Sequence, residues 1–180
     1  MLIAGPNGQG VVSTPASLCL QIVAPYPPQG GISVASQSGN FVSSFLNYSR
    51  QSGVGIARAI SAGNATQISV ENFLDFFAKD VETKVALTYI ENVGDGESLL
   101  KSMKNITAVK PLVVLKGGAT AAGSKAAQSH TGAMASNDRV FLGATRSSGA
   151  IKVSSVEEAF DTAATFATQP LPRGKRVAVL

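Results

Sequence analysis

"GISVASQSGNFVSSFLNYSRQSGVGIARAIS", residues 31–61, decides the fold. A short β-branched run, GISVAS, passes through Ser and Gly into a segment whose Phe41, Val42, Phe45, Leu46 and Ser49 fall on one helical face. Ser36 or Ser38 can cap that helix and Gly53 can end it. GIARAIS then reads as a second buried strand. Strands that are apolar throughout, without alternation, are covered on both faces, as in parallel sheets. The stretch is therefore a βαβ unit.

The same rhythm continues outward. SVENFLDFFAKD predicts a second helix, capped at Ser69 with Asn72 at its third position in place of the Glu or Gln of a full capping box. KVALTYIE is a third strand, DGESLLKSMKNITAV a helix starting near Asp95, and PLVVLKG a fourth strand. After a long loop of small residues come the helix NDRVFLGATRSSG, the strand AIKVS and the helix SVEEAFDTAATFATQ. Connections of a few residues suit α/β units. The predicted architecture is α/β: a doubly wound, parallel, flavodoxin-like sheet over residues 31–170. Residues 1–30, with turn signals at Gly5–Gly8 and a Pro-rich stretch from Pro25 to Pro28, read as the end of a preceding domain and its linker. Residues 171–180 read as a linker and the first strand of a following domain.

Composition narrows the function. The 180 residues are 44% hydrophobic and only 14% charged, so a core forms and Gly, Ala and Ser fill the tight turns. The net charge of +4 is spread along the chain, with no basic block and no interleaved aromatics, so nucleic acid is not the expected partner. A mild positive excess suits small phosphorylated ligands equally. The single cysteine, Cys19, excludes an intrachain disulfide and a Cys-based metal site. No apolar run approaches the ~18 residues of a membrane span. A soluble, cytoplasmic setting is expected.

In an open parallel sheet ligands gather at the carboxyl ends of the strands. Four features fall there. Ser36-Gln37-Ser38-Gly39 opens the first helix and is either an anion site or a plain capped turn. Gly63-Asn64 suits a sharp turn, with or without a ligand. Glu91, ending an apolar strand, is either a half-buried acid with a partner or a solvated rim carboxylate. His130, the only histidine, lies among small residues in AAQSHTGAMAS, which predicts a close-fitting loop able to swing across the same edge. No second His or Cys is near enough for a metal, and no G-x-S-x-G elbow supports a serine nucleophile. Together the four suggest a histidine nucleophile that takes a phosphoryl group, a carboxylate that accepts its other N–H, and a helix N-terminus that holds the phosphate.

SVASQSGN, ISAGN, DVETKVALTYIENVGDG and KPLVVLKGGATAAGSKAAQSHTGAMAS, in that order, resemble the NDP-forming acyl-CoA synthetases, ADP-forming acetate–CoA ligase-like proteins related to the succinyl-CoA synthetase α subunit. AGPNGQGVV resembles the loop that closes that family's CoA-binding domain. The resemblance implies that His130 is phosphorylated during turnover, that Glu91 hydrogen-bonds to it, and that Ser38, Gly39 and Gln37 hold the phosphate. It implies that Gly5, Pro6 and Asn7 lie near the CoA thiol and the acyl phosphate. The substrates implied are coenzyme A, a small carboxylic acid, and ATP or ADP with Mg²⁺ on an ATP-grasp domain outside this chain. The partners implied are the CoA-binding and ATP-grasp domains or subunits of an oligomeric enzyme, which this segment could not replace alone. The competing expectation is a non-catalytic CoA- or nucleotide-sensing or interface domain, for example one fused to a protein acyltransferase. The sequence departs from the family in two places: Gly8 stands where Cys is frequent, and Gln67 and Ser69 stand where acids follow the Gly-Asn turn.

Overall fold

The computed structural model describes residues 1–118, 138–172, 174 and 176. Seven strands form one sheet: β1 (Gly10–Ser13), β2 (Leu18–Gln21), β3 (Gln29–Ser36), β4 (Ile56–Ser61), β5 (Val85–Ile90), β6 (Leu112–Lys116) and β7 (Ile151–Val153). Among the described residues five helices accompany them: α1 (Gly39–Ser52), α2 (Val70–Lys79), α3 (Gly96–Thr107), α4 (Asp138–Ser148) and α5 (Val156–Thr168). The strand order is β2-β1-β4-β3-β5-β6-β7. The five strands from β3 onward are parallel, and their order is that of a flavodoxin-like sheet, with the strand order reversing between β3 and β5.

Neighbouring residues of the inner strands belong to opposite cores, as a period of two requires. Val34, Leu87 and Val113 pack with Val42, Phe45 and Leu46 of α1 and Phe160 and Ala163 of α5. Ala35, Ala86 and Val114 pack with Leu74 and Phe77 of α2, Met103 and Ile106 of α3 and Phe141 of α4. Helices on both faces explain why β3, β5 and β6 carry continuous apolar runs.

The expected helices are all present among the described residues, with altered caps in two. At α1 the Ser38 side chain makes no capping bond; instead Ser36 Oγ accepts from the Ser38 N–H at 3.0 Å and donates to its carbonyl at 2.7 Å. At α2 the Asn72 carbonyl oxygen accepts from the Ser69 N–H at 2.9 Å, so Asn performs the reciprocal half of a capping box. Gly53 ends α1 in the left-handed conformation, as expected.

The sheet is larger than the sequence suggests. Residues 10–21 form a hairpin whose β1 pairs antiparallel with β4, so hydrogen bonds cross the boundary expected at residue 30. Two antiparallel strands thus extend an otherwise parallel sheet. Only Val12 of the hairpin is deeply buried among apolar residues, while Leu18, Cys19 and Leu20 are exposed. A four-residue edge strand without burial leaves no periodic signature. Within the segment 171–180 only residues 171, 172, 174 and 176 are described, so the strand expected there lies outside the described residues.

Candidate functional site

A cavity of about 700 Å³ opens at the carboxyl ends of β3, β4 and β5, where the strand order reverses. Its walls are the 7–9 loop with Ile22, the turn and first residues of α1 from Gln37 to Asn40, the Gly63–Asn64 turn, and Glu91 with Asn92. Among these lining residues Glu91 alone carries a charge.

The α1 wall is an anion cradle in waiting. Ser38 has extended backbone torsions, and its hydroxyl makes no capping bond among the described residues. The first backbone N–H of the helix turn to close a ladder bond is that of Val42, onto Ser38 O at 3.4 Å. The preceding N–H groups and the positive end of the helix dipole face the cavity side, a general arrangement for phosphate.

Gln37 has a role the sequence does not announce. Its side-chain oxygen accepts from the N–H groups of Glu91 at 2.7 Å and Asn92 at 2.9 Å, and its amide nitrogen donates to Asn92 O at 2.9 Å. Its own N–H donates to Tyr89 O at 3.1 Å. Gln37 therefore fastens the start of α1 to the end of β5, and both ends of its side chain are spent on backbone.

The 5–8 loop is docked by backbone bonds. Asn64 N–H donates to Pro6 O at 2.9 Å, and Thr66 donates to Gly5 O from its N–H at 3.1 Å and its hydroxyl at 2.9 Å. Asn7 sits in the left-handed region at φ 59° and donates to the Asn64 side chain at 3.3 Å. Gly63 has φ +55°, and a Cβ there would lie within 2.2 Å of Pro6 O, so the two turns meet too closely for any side chain. At the second departure from the family pattern, Gln67 accepts the Ile3 N–H at 2.9 Å and Ser69 is the N-cap of α2.

Glu91 is half-buried at the mouth. Behind it Lys116, 5% exposed, donates to Gly117 O at 2.7 Å and to Glu91 O at 3.4 Å, with its ammonium 5.7 Å from the Phe141 ring. Burial pushes the Lys116 ammonium below the usual lysine range; Lys152 acts the same way, and Asp138 and Glu91 oppose it. Thus Ser38, Gly39, Gln37, Asn7 and Glu91 line one cavity, while Gly5 and Pro6 support it from behind. His130 lies outside the described residues. Gln9, Asn40 and Asn92 also line the site; short polar residues in turns gave no sequence signal for it.

Residues 29–166 match the family described as the succinyl-CoA ligase like flavodoxin domain. The chain belongs to that family. This succinyl-CoA ligase like flavodoxin domain is 39% identical over 161 residues to the ADP-forming acetate–CoA ligase I of Archaeoglobus fulgidus, covering 89% of this chain and 24% of that protein. It is 34% identical over 180 residues to the α subunit of the ADP-forming acetate–CoA ligase I of Pyrococcus furiosus, covering all of this chain and 39% of that one. The dinucleotide forming acetyl-coenzyme A synthetase 1 of Ca. Korarchaeum cryptofilum, solved with phosphate and ADP, superposes with a TM-score of 0.91 at 32% identity, over 97% of this chain and 38% of that one. The chain spans well under half the length of these relatives. No described helix is long and apolar enough to cross a membrane.

Proposed function

We propose that this domain is the phosphohistidine-bearing part of an NDP-forming acyl-CoA synthetase: acyl-CoA + phosphate + NDP give acid + CoA + NTP. The observation that carries the reading is the shared cavity, in which the open N-terminus of α1 and the Glu91 carboxylate face each other at the sheet's reversal point. Phosphate displaces CoA from the acyl group to give an acyl phosphate. The His130 imidazole attacks phosphorus, the carboxylate leaves, and phosphohistidine forms. NDP then takes the phosphoryl group. The α1 N–H groups with Ser38 and Gly39 neutralise the phosphoryl oxygens, and Glu91 accepts the distal imidazole N–H, which fixes the tautomer and raises the nucleophile's basicity.

In this reading coenzyme A, the small carboxylic acid and the Mg²⁺-bound nucleotide are substrates. The 5–8 loop is the wall against which the acyl phosphate forms, and the nucleotide binds on an ATP-grasp domain or subunit. Residues 1–30 then close the CoA-binding domain, residues 31–170 form the phosphohistidine domain, and residues 171–180 lead into the next one. The complete enzyme is a cytoplasmic oligomer of such parts. Its test is mass spectrometry of the complete enzyme after Mg-ATP: acid-labile phosphate on His130, discharged by CoA plus a short carboxylic acid, is expected. No phosphate from ATP, and none from acyl-CoA plus inorganic phosphate, overturns the reading in favour of a sensing or interface domain.

A further inference from the structure

We propose that Tyr89 is the positioning residue of the site: its hydroxyl holds the Glu91 carboxylate in the direction from which it meets the histidine. This rests on the role given to Glu91 above.

Tyr89 and Glu91 stand two residues apart at the end of β5, so their side chains leave the same face of the sheet. Tyr89 is 8% exposed and belongs to the core beneath α1. Its ring stacks on Phe41 of α1, with centroids 3.7 Å apart and planes 18° apart. That stack leaves the ring little freedom and directs the phenol past the end of the strand. There the hydroxyl comes up beside the Glu91 side chain. Gly117 makes the passage possible: a Cβ at that position would lie 2.5 Å from Tyr89 Oη and 3.3 Å from Glu91 Cγ. The hydroxyl and the carboxylate stem therefore run side by side over a residue that has no side chain to separate them.

Among the described residues the other groups near Glu91 hold its backbone. Gln37 accepts its N–H and Lys116 donates to its carbonyl. Neither fixes the carboxylate's rotamer, and a free Glu side chain samples several. Tyr89 supplies that missing constraint with a donor whose own ring is locked. Burial, then the neighbouring Glu91 carboxylate, push the Tyr89 phenol well above its ordinary value, so it keeps its proton throughout the physiological range. An immobilised donor costs little further entropy when the site forms, which is how outer groups sharpen the geometry of the residues they hold.

The test is a double-mutant cycle in the complete enzyme, reading the rate of acid-labile phosphate formation on His130 from Mg-ATP. Tyr89→Phe keeps the ring and its stack. It is expected to slow phosphorylation roughly tenfold, with the KM for nucleotide and the melting temperature unchanged. In a Glu91→Gln background the same change is expected to have no further effect, because the acid it orients is gone. Full speed in Tyr89→Phe beside a slow Glu91→Gln overturns the role of Tyr89 and leaves Glu91 in place. An equal slowing in both backgrounds also overturns it, since the hydroxyl would then act independently of Glu91. Full speed in Glu91→Gln overturns the role of Glu91 itself and this inference with it.

Discussion

At the amino-terminal edge of the sheet the polar side chains are bound to one another. Arg58 on β4 pairs with Asp80 beyond α2 through bonds of 3.1 and 3.2 Å, and also reaches Ser13. Thr83 donates to Asp80 at 2.8 Å and meets Ser33 at 2.7 Å, while Lys110 caps the carbonyls of Phe77 and Asp80. At the carboxyl-terminal edge Gln37 and Lys116 bind backbone, and the Ser38 hydroxyl and Glu91 face a cavity. The first edge is closed upon itself and its polarity is structural. The second spends its polarity on shaping a cavity lined by a helix N-terminus and a carboxylate. A buried pair repays its desolvation only when fully satisfied, and the Arg58–Asp80 cluster meets that condition; an open site does not need to.

Changes at the two edges should separate stability from chemistry. The largest effect is His130→Asn in the complete enzyme, which should abolish acid-labile phosphate, read by mass spectrometry, while the domain still folds. Asp80→Ala should cost about 3 kcal/mol in denaturant unfolding, because Arg58 is left uncompensated with its side chain only 17% exposed. Burial raises the Asp80 pKa, but the hydrogen bonds from Arg58 and Thr83, the Arg58 charge and the Glu82 backbone N–H together outweigh it and hold the carboxyl below its ordinary value. The contribution of Asp80 should therefore be complete above pH ~4, the unfolded carboxyl's range. It should fade as pH falls through the lower folded value, so the gap between wild type and Asp80→Ala narrows in acid.

Glu91→Gln should slow phosphorylation of His130 on the order of a hundredfold with little change in unfolding free energy. A stability loss like that of Asp80→Ala would erase the distinction between the edges. Gly63→Ala should cost about 2 kcal/mol, because a new Cβ meets the Pro6 carbonyl at a positive φ. Since the 5–8 loop must shift to admit it, this variant should also raise the KM for CoA, measured by steady-state kinetics. That makes it the one change that reaches both properties.

The βαβ rhythm was legible because two-sided burial writes long apolar runs into β3, β5 and β6, and because Val42, Phe45 and Leu46 repeat at helical spacing. Glu91 and the Ser38–Gly39 turn were legible because each sits where an apolar run stops, and parallel sheets present their loops there. The hairpin was not legible, since Leu18–Gln21 is too short and too exposed to carry a pattern. Nor was the fastening by Gln37, which depends on β5 lying beside β3, a fact of topology and not of spacing. Tyr89 read as one more apolar residue of a strand; only the stack on Phe41 and the bare Gly117 turn its hydroxyl toward Glu91.

The small hairpin has a mechanical consequence. The 5–8 loop runs directly into β1, β1 is laced to β4, and β4 ends in the very turn that the loop grips. Loop and sheet are thus closed into a ring of bonds, with no joint between Asn7 and the start of α1. Any swing of the chain ahead of Gly5 carries the loop and the start of α1 together, like two jaws machined from one block. In the proposed reaction, whatever is made against Asn7 would be delivered to the helix at a fixed gauge, and the travel needed to reach the nucleotide would have to be supplied elsewhere.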